Sequence, residues 1–227
     1  MPPSETTAAV PVIAIDGPSA SGKGTVAERV ARELGFHFLD SGALYRLATL
    51  NALRANIPLD DGEGLARGAR EMKIAFRAGH LWMDGEDVTG AVRTEAVSAA
   101  TSRVAATPAV RDALLDLQRS FRKPPGLVAD GRDMGSVVFP DATLKIFLTA
   151  DVGVRAERRY KQLIEKGMRA KMADVVEELR QRDARDSSRP VAPLKHYPDA
   201  LFLDTTRLTI AEAVGAILTG YRERVRG

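Results

Sequence analysis

The chain has 227 residues, 44% of them hydrophobic, with 33 basic residues against 30 acidic ones and no cysteine. That length and apolar content suffice for one large domain or a domain carrying an inserted lobe, and the missing thiols exclude disulfides, thiolate metal sites and a cysteine nucleophile. Charges of both signs are intermixed, a balance that suits a small anionic ligand better than bulk nucleic acid.

Residues 1–11 lack the basic start of a signal peptide and are expected to form a disordered tail ahead of a single domain at 12–227. No apolar run approaches the roughly 18 residues that span a membrane, so a cytoplasmic protein without membrane contact is expected. VIAID (12–16) is a short apolar run closed by a glycine, the pattern of a strand buried on both faces of a parallel sheet. The loop GPSASGKGT (17–25) follows at once. Val26, Val30 and Leu34 then recur at every fourth position, giving a helix that Gly35 can end. FHFLD and SGALYRLATLNALRANIP predict a second strand and a second helix, the helix capped by Ser41 and stopped before Pro58.

This βαβα series is interrupted at 72–89, where MKIAFRAGHLWMDGEDVT alternates apolar and polar residues around Ala-Gly and Asp-Gly turns. Antiparallel hairpins are expected there, with Trp82 as their packing anchor. Helical pattern resumes in RTEAVSAATSRVAAT and again after Thr107 and Pro108, up to the break at 124–126. LVADGRD (127–133) and LKIFLTA (144–150) are further buried strands that meet charged residues at their C-terminal ends, the edge where open α/β sheets bind ligands. A basic helical stretch at 154–189 breaks at Gly167. ALFLD and a last helix follow, the helix opened by a capping box of Thr209 and Glu212.

The loop at 17–25 carries the first chemistry. Gly17, Gly22 and Gly24 let backbone N–H groups converge on a phosphate, the helix behind them adds its positive end, and Lys23 reaches the outer phosphates. A strand before GxxxxGK and a helix after it are the context that makes the motif specific. Gly24, however, stands where a Ser or Thr usually holds the metal. Arginines gather at the predicted strand ends and in the basic segment: Arg46, Arg132 beside Asp133, and Arg180, Arg182, Arg185 and Arg189 among Asp183 and Asp186. Phosphoryl transfer needs positive charge on its oxygens and exclusion of water, which arginines on a closing lid supply. An NKxD-like guanine signature and an apolar strand ending in Asp-Glu are missing, which disfavours a GTPase switch or a motor ATPase. A kinase for another small acceptor is one alternative. A nucleotide-gated regulator or RNA-binding module is the other, and it is disfavoured by the 5% aromatic content and the missing nucleic-acid fold signature. His37, His80 and His196 share no metal-ligand spacing and are expected to be structural or on the surface.

GPSASGKGT, DSGALYR, DGRDMGSVVFPDA and RDARDSSRPVAPL together resemble the bacterial cytidylate kinases, within the nucleoside-monophosphate kinase family, over most of the chain. The resemblance implies an α/β P-loop kinase, with a central parallel sheet flanked by helices. It also implies an enlarged β-containing NMP-binding lobe at about 41–122 and a mobile helical lid at about 155–190. It implies ATP on Gly17, Pro18, Ser19, Ala20, Ser21, Gly22, Lys23, Gly24 and Thr25. CMP or dCMP would be the acceptor. Arg46, Arg132 and Arg189 would hold its phosphate, Arg182 and Asp186 its sugar, and Ser102, Arg111 and Asp133 its base, with Ser41 also at the acceptor. Lys23, Arg132, Arg185 and Arg189 would neutralise charge during transfer; Arg155, Arg158 and Arg159 are left without assigned roles. Mg²⁺ is expected to be held mainly by nucleotide phosphates and water, with no dedicated protein cage, and Thr25 to lie near the α or β phosphate. A monomer without nucleic-acid partners is expected.

Overall fold

The computed structural model describes residues 9–77, 79–165 and 167–226; positions 1–8 of the expected tail lie outside the described residues. Strand β1 (Val12–Asp16) runs through the glycine loop into helix α1 (Lys23–Leu34), and β2 (His37–Asp40) runs directly into α2 (Ser41–Arg54). Helix α3 (Gly62–Glu71) leads to a small antiparallel sheet of β3 (Ile74–Arg77), β4 (His80–Met83) and β5 (Glu86–Asp87). Two helices come next, α4 (Glu95–Val104) and α5 (Pro108–Arg119). The chain then returns to the main sheet with β6 (Leu127–Gly131) and β7 (Leu144–Thr149), separated by a wide π-helical turn, Met134–Val138. The hairpin α6 (Val152–Glu165) and α7 (Met172–Ser188) precedes β8 (Leu201–Asp204) and α8 (Ile210–Arg226). No helix among the described residues is long and apolar enough to cross a membrane.

The main sheet is parallel throughout, in the order β2-β6-β1-β7-β8. Strand alternation divides the core in two. Val12 and Ala14 face a layer built on α2, with Leu44, Leu47 and Val104. Ile13 and Ile15 face Val26, Val30 and Ile217 of α1 and α8. A third, small cluster of Ala156, Leu163, Val175 and Leu179 holds α6 against α7. The connection from β1 runs to β2 on one side and that from its neighbour β6 crosses to β7 on the other, so the crevice at the C-terminal ends of β1 and β6 is a topological switch point.

Most elements lie where periodicity put them, with three corrections. Helix α2 is capped by Asp40, whose carboxylate accepts from the Ala43 N–H at 3.0 Å, and Ser41 is its first residue. Helix α3 lay within a segment without apolar periodicity, because Gly62, Gly64 and Gly68 dilute the pattern. Trp82 is only half-buried with the Arg77 guanidinium 5.9 Å from its ring centre, while its neighbours Leu81 and Met83 supply the buried side chains of β4. The expected capping box is formed: Glu212 accepts from the Thr209 N–H at 2.8 Å, and Thr209 Oγ1 accepts from the Glu212 N–H at 3.2 Å.

Candidate active site

The loop at 17–25 leaves β1 in a tight arc. A Cβ on Gly17 would lie 1.9 Å from the Leu148 carbonyl oxygen, so backbone blocks any other residue there. Gly22 caps α1 with φ +89°, a left-handed conformation that glycine adopts freely. Ser21 Oγ and Lys23 Nζ both donate to the Pro18 carbonyl, at 3.0 and 3.2 Å, closing the arc on itself. Two arginines of α6 hold it from behind. Arg155 donates to the Ser19 carbonyl at 3.2 Å and pairs with Asp183 of α7 at 2.7 Å; Arg158 donates to the Ser21 and Thr205 carbonyls, both at 2.9 Å. Arg159 pairs with Glu95 at 3.5 Å.

A cavity of about 250 Å³ opens on one flank of this loop. Its walls include every residue expected at the acceptor: Ser41, Arg46, Ser102, Arg111, Arg132, Asp133, Arg182, Asp186 and Arg189, together with Ser19, Ala20 and Lys23. Arg185 does not line it and is exposed on α7. A second cavity, of about 320 Å³, lies on the other flank between Ala20, Ser21, Gly22 and Thr25 of the loop and Arg158, Thr205 and Ile210.

This first cavity is a set of opposed charges. Arg111, 7% exposed, is joined to Asp133, 2% exposed, in a close hydrogen-bonded ion pair. Burial raises Asp133 above the ordinary carboxylate range, against the opposing charges of Arg111 and Arg189. Arg111 also donates to the Ala105 carbonyl at 3.1 Å, and its guanidinium lies 5.8 Å from the centre of the Tyr45 ring. Arg132 Nε donates to Asp186 at 2.9 Å, and its Nη2 to Ser19 Oγ at 3.3 Å, which ties this wall to the loop. Burial opposes the charge on both Arg132 and Asp186, yet each favours its partner's ionised form enough to raise the arginine and lower the acid. Arg46 pairs with Asp40 at 2.7 Å, and burial together with Arg132 lowers Arg182 to about 10.

Asp40 and Asp130 are wall residues that were not anticipated. Their signal was present: VIAID, FHFLD, LVAD and LFLD are apolar runs each closed by one aspartate, which places acids along the sheet's C-terminal edge. Asp130 faces Lys23 at 3.8 Å, and burial raises the acid and lowers the lysine while their attraction opposes both. A Cβ on Gly24 would lie 3.1 Å from Asp130 Oδ2, so the glycine after the lysine leaves room for this carboxylate. Asp130 Oδ1 is buried without a hydrogen-bond partner among the described residues. Beside phosphate oxygens and water, one such carboxylate fits Mg²⁺, which keeps much of its hydration and takes few protein ligands. Of the histidines, His37 and His196 contact backbone carbonyls and His80 pairs with Asp87.

A phosphate-cradling loop between two cavities, at the switch point of a parallel sheet, defines a P-loop kinase. A model of the cytidylate kinase family matches residues 13–223. A cytidylate kinase of Chromobacterium violaceum is 57% identical over 95% of this chain and 97% of its own, and one of Paraburkholderia phymatum is 55% identical over 99% of both. The chain belongs to the cytidylate kinase family. Among solved structures, an uncharacterised protein of Eubacterium ventriosum shares the fold at 12% identity, with a TM-score of 0.50 over 93% of this chain and 98% of that one.

Proposed function

We propose that this protein transfers the γ-phosphoryl group of ATP to CMP and dCMP by direct in-line displacement, and that UMP is a poorer acceptor. The observation that carries the reading is the buried Arg111–Asp133 pair in the wall of the arginine-rich cavity. Cytosine presents an exocyclic amine beside acceptors at N3 and O2, to which a carboxylate and a guanidinium are complementary. Uracil would turn a carbonyl toward the Asp133 carboxylate, a mismatch of about 1–3 kcal/mol.

In this reading ATP lies on residues 17–25 with its base in the second cavity, and the CMP phosphate lies among Arg46, Arg132 and Arg189. Arg182 and Asp186 take the sugar; Ser102 joins the base-facing pair. Catalysis is then positioning and neutralisation, without a covalent intermediate. Lys23 draws charge from the outer phosphates, and Arg132 and Arg189 hold the attacking oxygen in place. Asp130 is the residue that would hold Mg²⁺, which when bound neutralises charge on the β and γ oxygens. Arg185 would reach the phosphates only through movement of α7, so its role requires the lid at 155–190 to close over the lobe at 41–122.

A coupled assay of ADP release with CMP, dCMP, UMP, AMP and GMP tests the reading. CMP and dCMP should have the highest kcat/KM, and equal turnover of all five would refute the acceptor assignment. Asp133→Ala should lower the CMP-over-UMP ratio by about tenfold or more, whereas Lys23→Ala should slow every acceptor alike.

A further inference from the structure

One carboxylate at the site has no part in the chemistry above. Asp16 closes β1 immediately before the phosphate loop, yet its carboxylate engages the opposite wall. Oδ1 accepts from the Met134 N–H at 2.8 Å, and Oδ2 from the Gly135 N–H at 2.9 Å. These amides open the π-helical turn, in which the Val137 and Val138 N–H groups both go to the Asp133 carbonyl, at 2.9 and 3.2 Å. The first N–H groups of any helical turn lack partners within it. Met134 and Gly135 are buried, so without Asp16 their amides would be left unsatisfied. The residues directly before them are Asp133 and Arg132.

We infer that Asp16 is a positioning residue for base recognition: by accepting from both Met134 and Gly135 it fixes the turn that presents Asp133 and Arg132 to the acceptor nucleotide. The inference rests on the reading of Asp133 as the base-facing carboxylate. It gives the strand that launches the phosphate loop a second task, registering the acceptor wall against that loop. The geometry is demanding, since a carboxyl group sets one acceptor oxygen against each of the two amides, which a side-chain amide cannot do. Asp133, Asp130 and Arg132 are the charged groups that face it.

Asp16→Asn preserves the shape but replaces one acceptor oxygen with an NH₂ group, leaving one turn amide without a partner. The KM for CMP should rise about tenfold and the CMP-over-UMP ratio of kcat/KM should fall by a similar factor. The KM for ATP should stay within about twofold, because the bonds that close the loop at 17–25 are untouched. Equal rises in both KM values with an unchanged CMP-over-UMP ratio would reduce Asp16 to general structural support and overturn the inference. If the unsubstituted enzyme itself fails to prefer CMP, the base-facing reading fails and takes this inference with it. If that enzyme discriminates and the variant discriminates equally well, the inference alone fails. Should the variant not fold, amide hydrogen exchange of the unsubstituted chain without nucleotide decides: slow exchange at Met134 and Gly135 supports a preformed turn, and exchange at the unprotected rate overturns it.

Discussion

A methyl group at position 24 would lie 3.1 Å from Asp130 Oδ2, closer than side chains normally approach. Gly24 is the second residue of α1, where alanine is the better helix former by about 0.5–1 kcal/mol. The two effects separate stability from turnover. Gly24→Ala should leave the urea midpoint unchanged or raised, while kcat falls roughly tenfold as the Asp130 carboxylate is displaced from Lys23 and from the Mg²⁺ it would hold. Asp16 carries a pH prediction of its own. Burial raises it from 3.8 to about 7, against the bonds from Gly135 and Met134. A raised acid contributes stability that is fully present below pH ~4 and lost as pH rises through about 7. Asparagine does not titrate, so Asp16→Asn should cost more stability at pH 5 than at pH 8. The difference should be on the order of 2 kcal/mol, measured by urea unfolding at the two values.

Among the elements, α3 shows what periodicity alone conveys. Its three glycines weaken the apolar pattern, yet they serve packing. A Cβ on Gly68 would lie 3.0 Å from Asn51 Nδ2 and 3.2 Å from Ile57 Cδ1, and Asn51 itself donates to the Gly68 carbonyl at 3.0 Å. Gly68→Val should therefore destabilise the fold by about 1–3 kcal/mol, read from the urea midpoint, with little change in the KM for CMP. Elements whose own side chains carry the pattern were legible: β1 as an unbroken apolar run, α1 from Val26 and Val30, the hairpin of β3 and β4 from alternation. The charged wall of the first cavity was legible for another reason. Arg132, Asp133, Arg182 and Asp186 lie within short stretches of chain that resemble a known family, and the fold brings those stretches to one cavity. Asp16, Asp40 and Asp130 stayed hidden because a single aspartate after an apolar run also reads as an ordinary strand end. Their partners lie as far as 119 residues away in sequence, as between Asp16 and Gly135.

At the scale of the molecule, three apolar clusters divide the labour. The largest joins the β1 face to the helices of residues 41–119, the second seats α1 and α8, and the third binds α6 to α7 with Ala20 of the loop packed against it. So small a cluster gives the α6–α7 hairpin little apolar contact beyond itself. Apart from Ala20, its attachment to the loop is polar, through Arg155 to the Ser19 carbonyl and Arg158 to the Ser21 carbonyl. The amides of α6 and α7 should exchange together, faster than those of β1 and β6. With CMP and a non-hydrolysable ATP analogue bound, they should slow about tenfold or more. Unchanged exchange on binding both nucleotides would remove this hairpin from the transfer step.

Ala20 borders both cavities, with φ +58°, so the arc of the loop is a thin partition between two chambers. A thin partition invites a bridge. One molecule carrying cytidine at one end of a polyphosphate chain and adenosine at the other would seat both heads at once. Its second contact would be made at an effective concentration near millimolar and without a second loss of overall tumbling. Such a compound should outbind either parent nucleotide by roughly 10² to 10⁴, as titration calorimetry would register, and should lose that advantage when its chain is too short to cross at Ala20. The number of phosphates in the tether then becomes a ruler for the distance between the two chambers in solution.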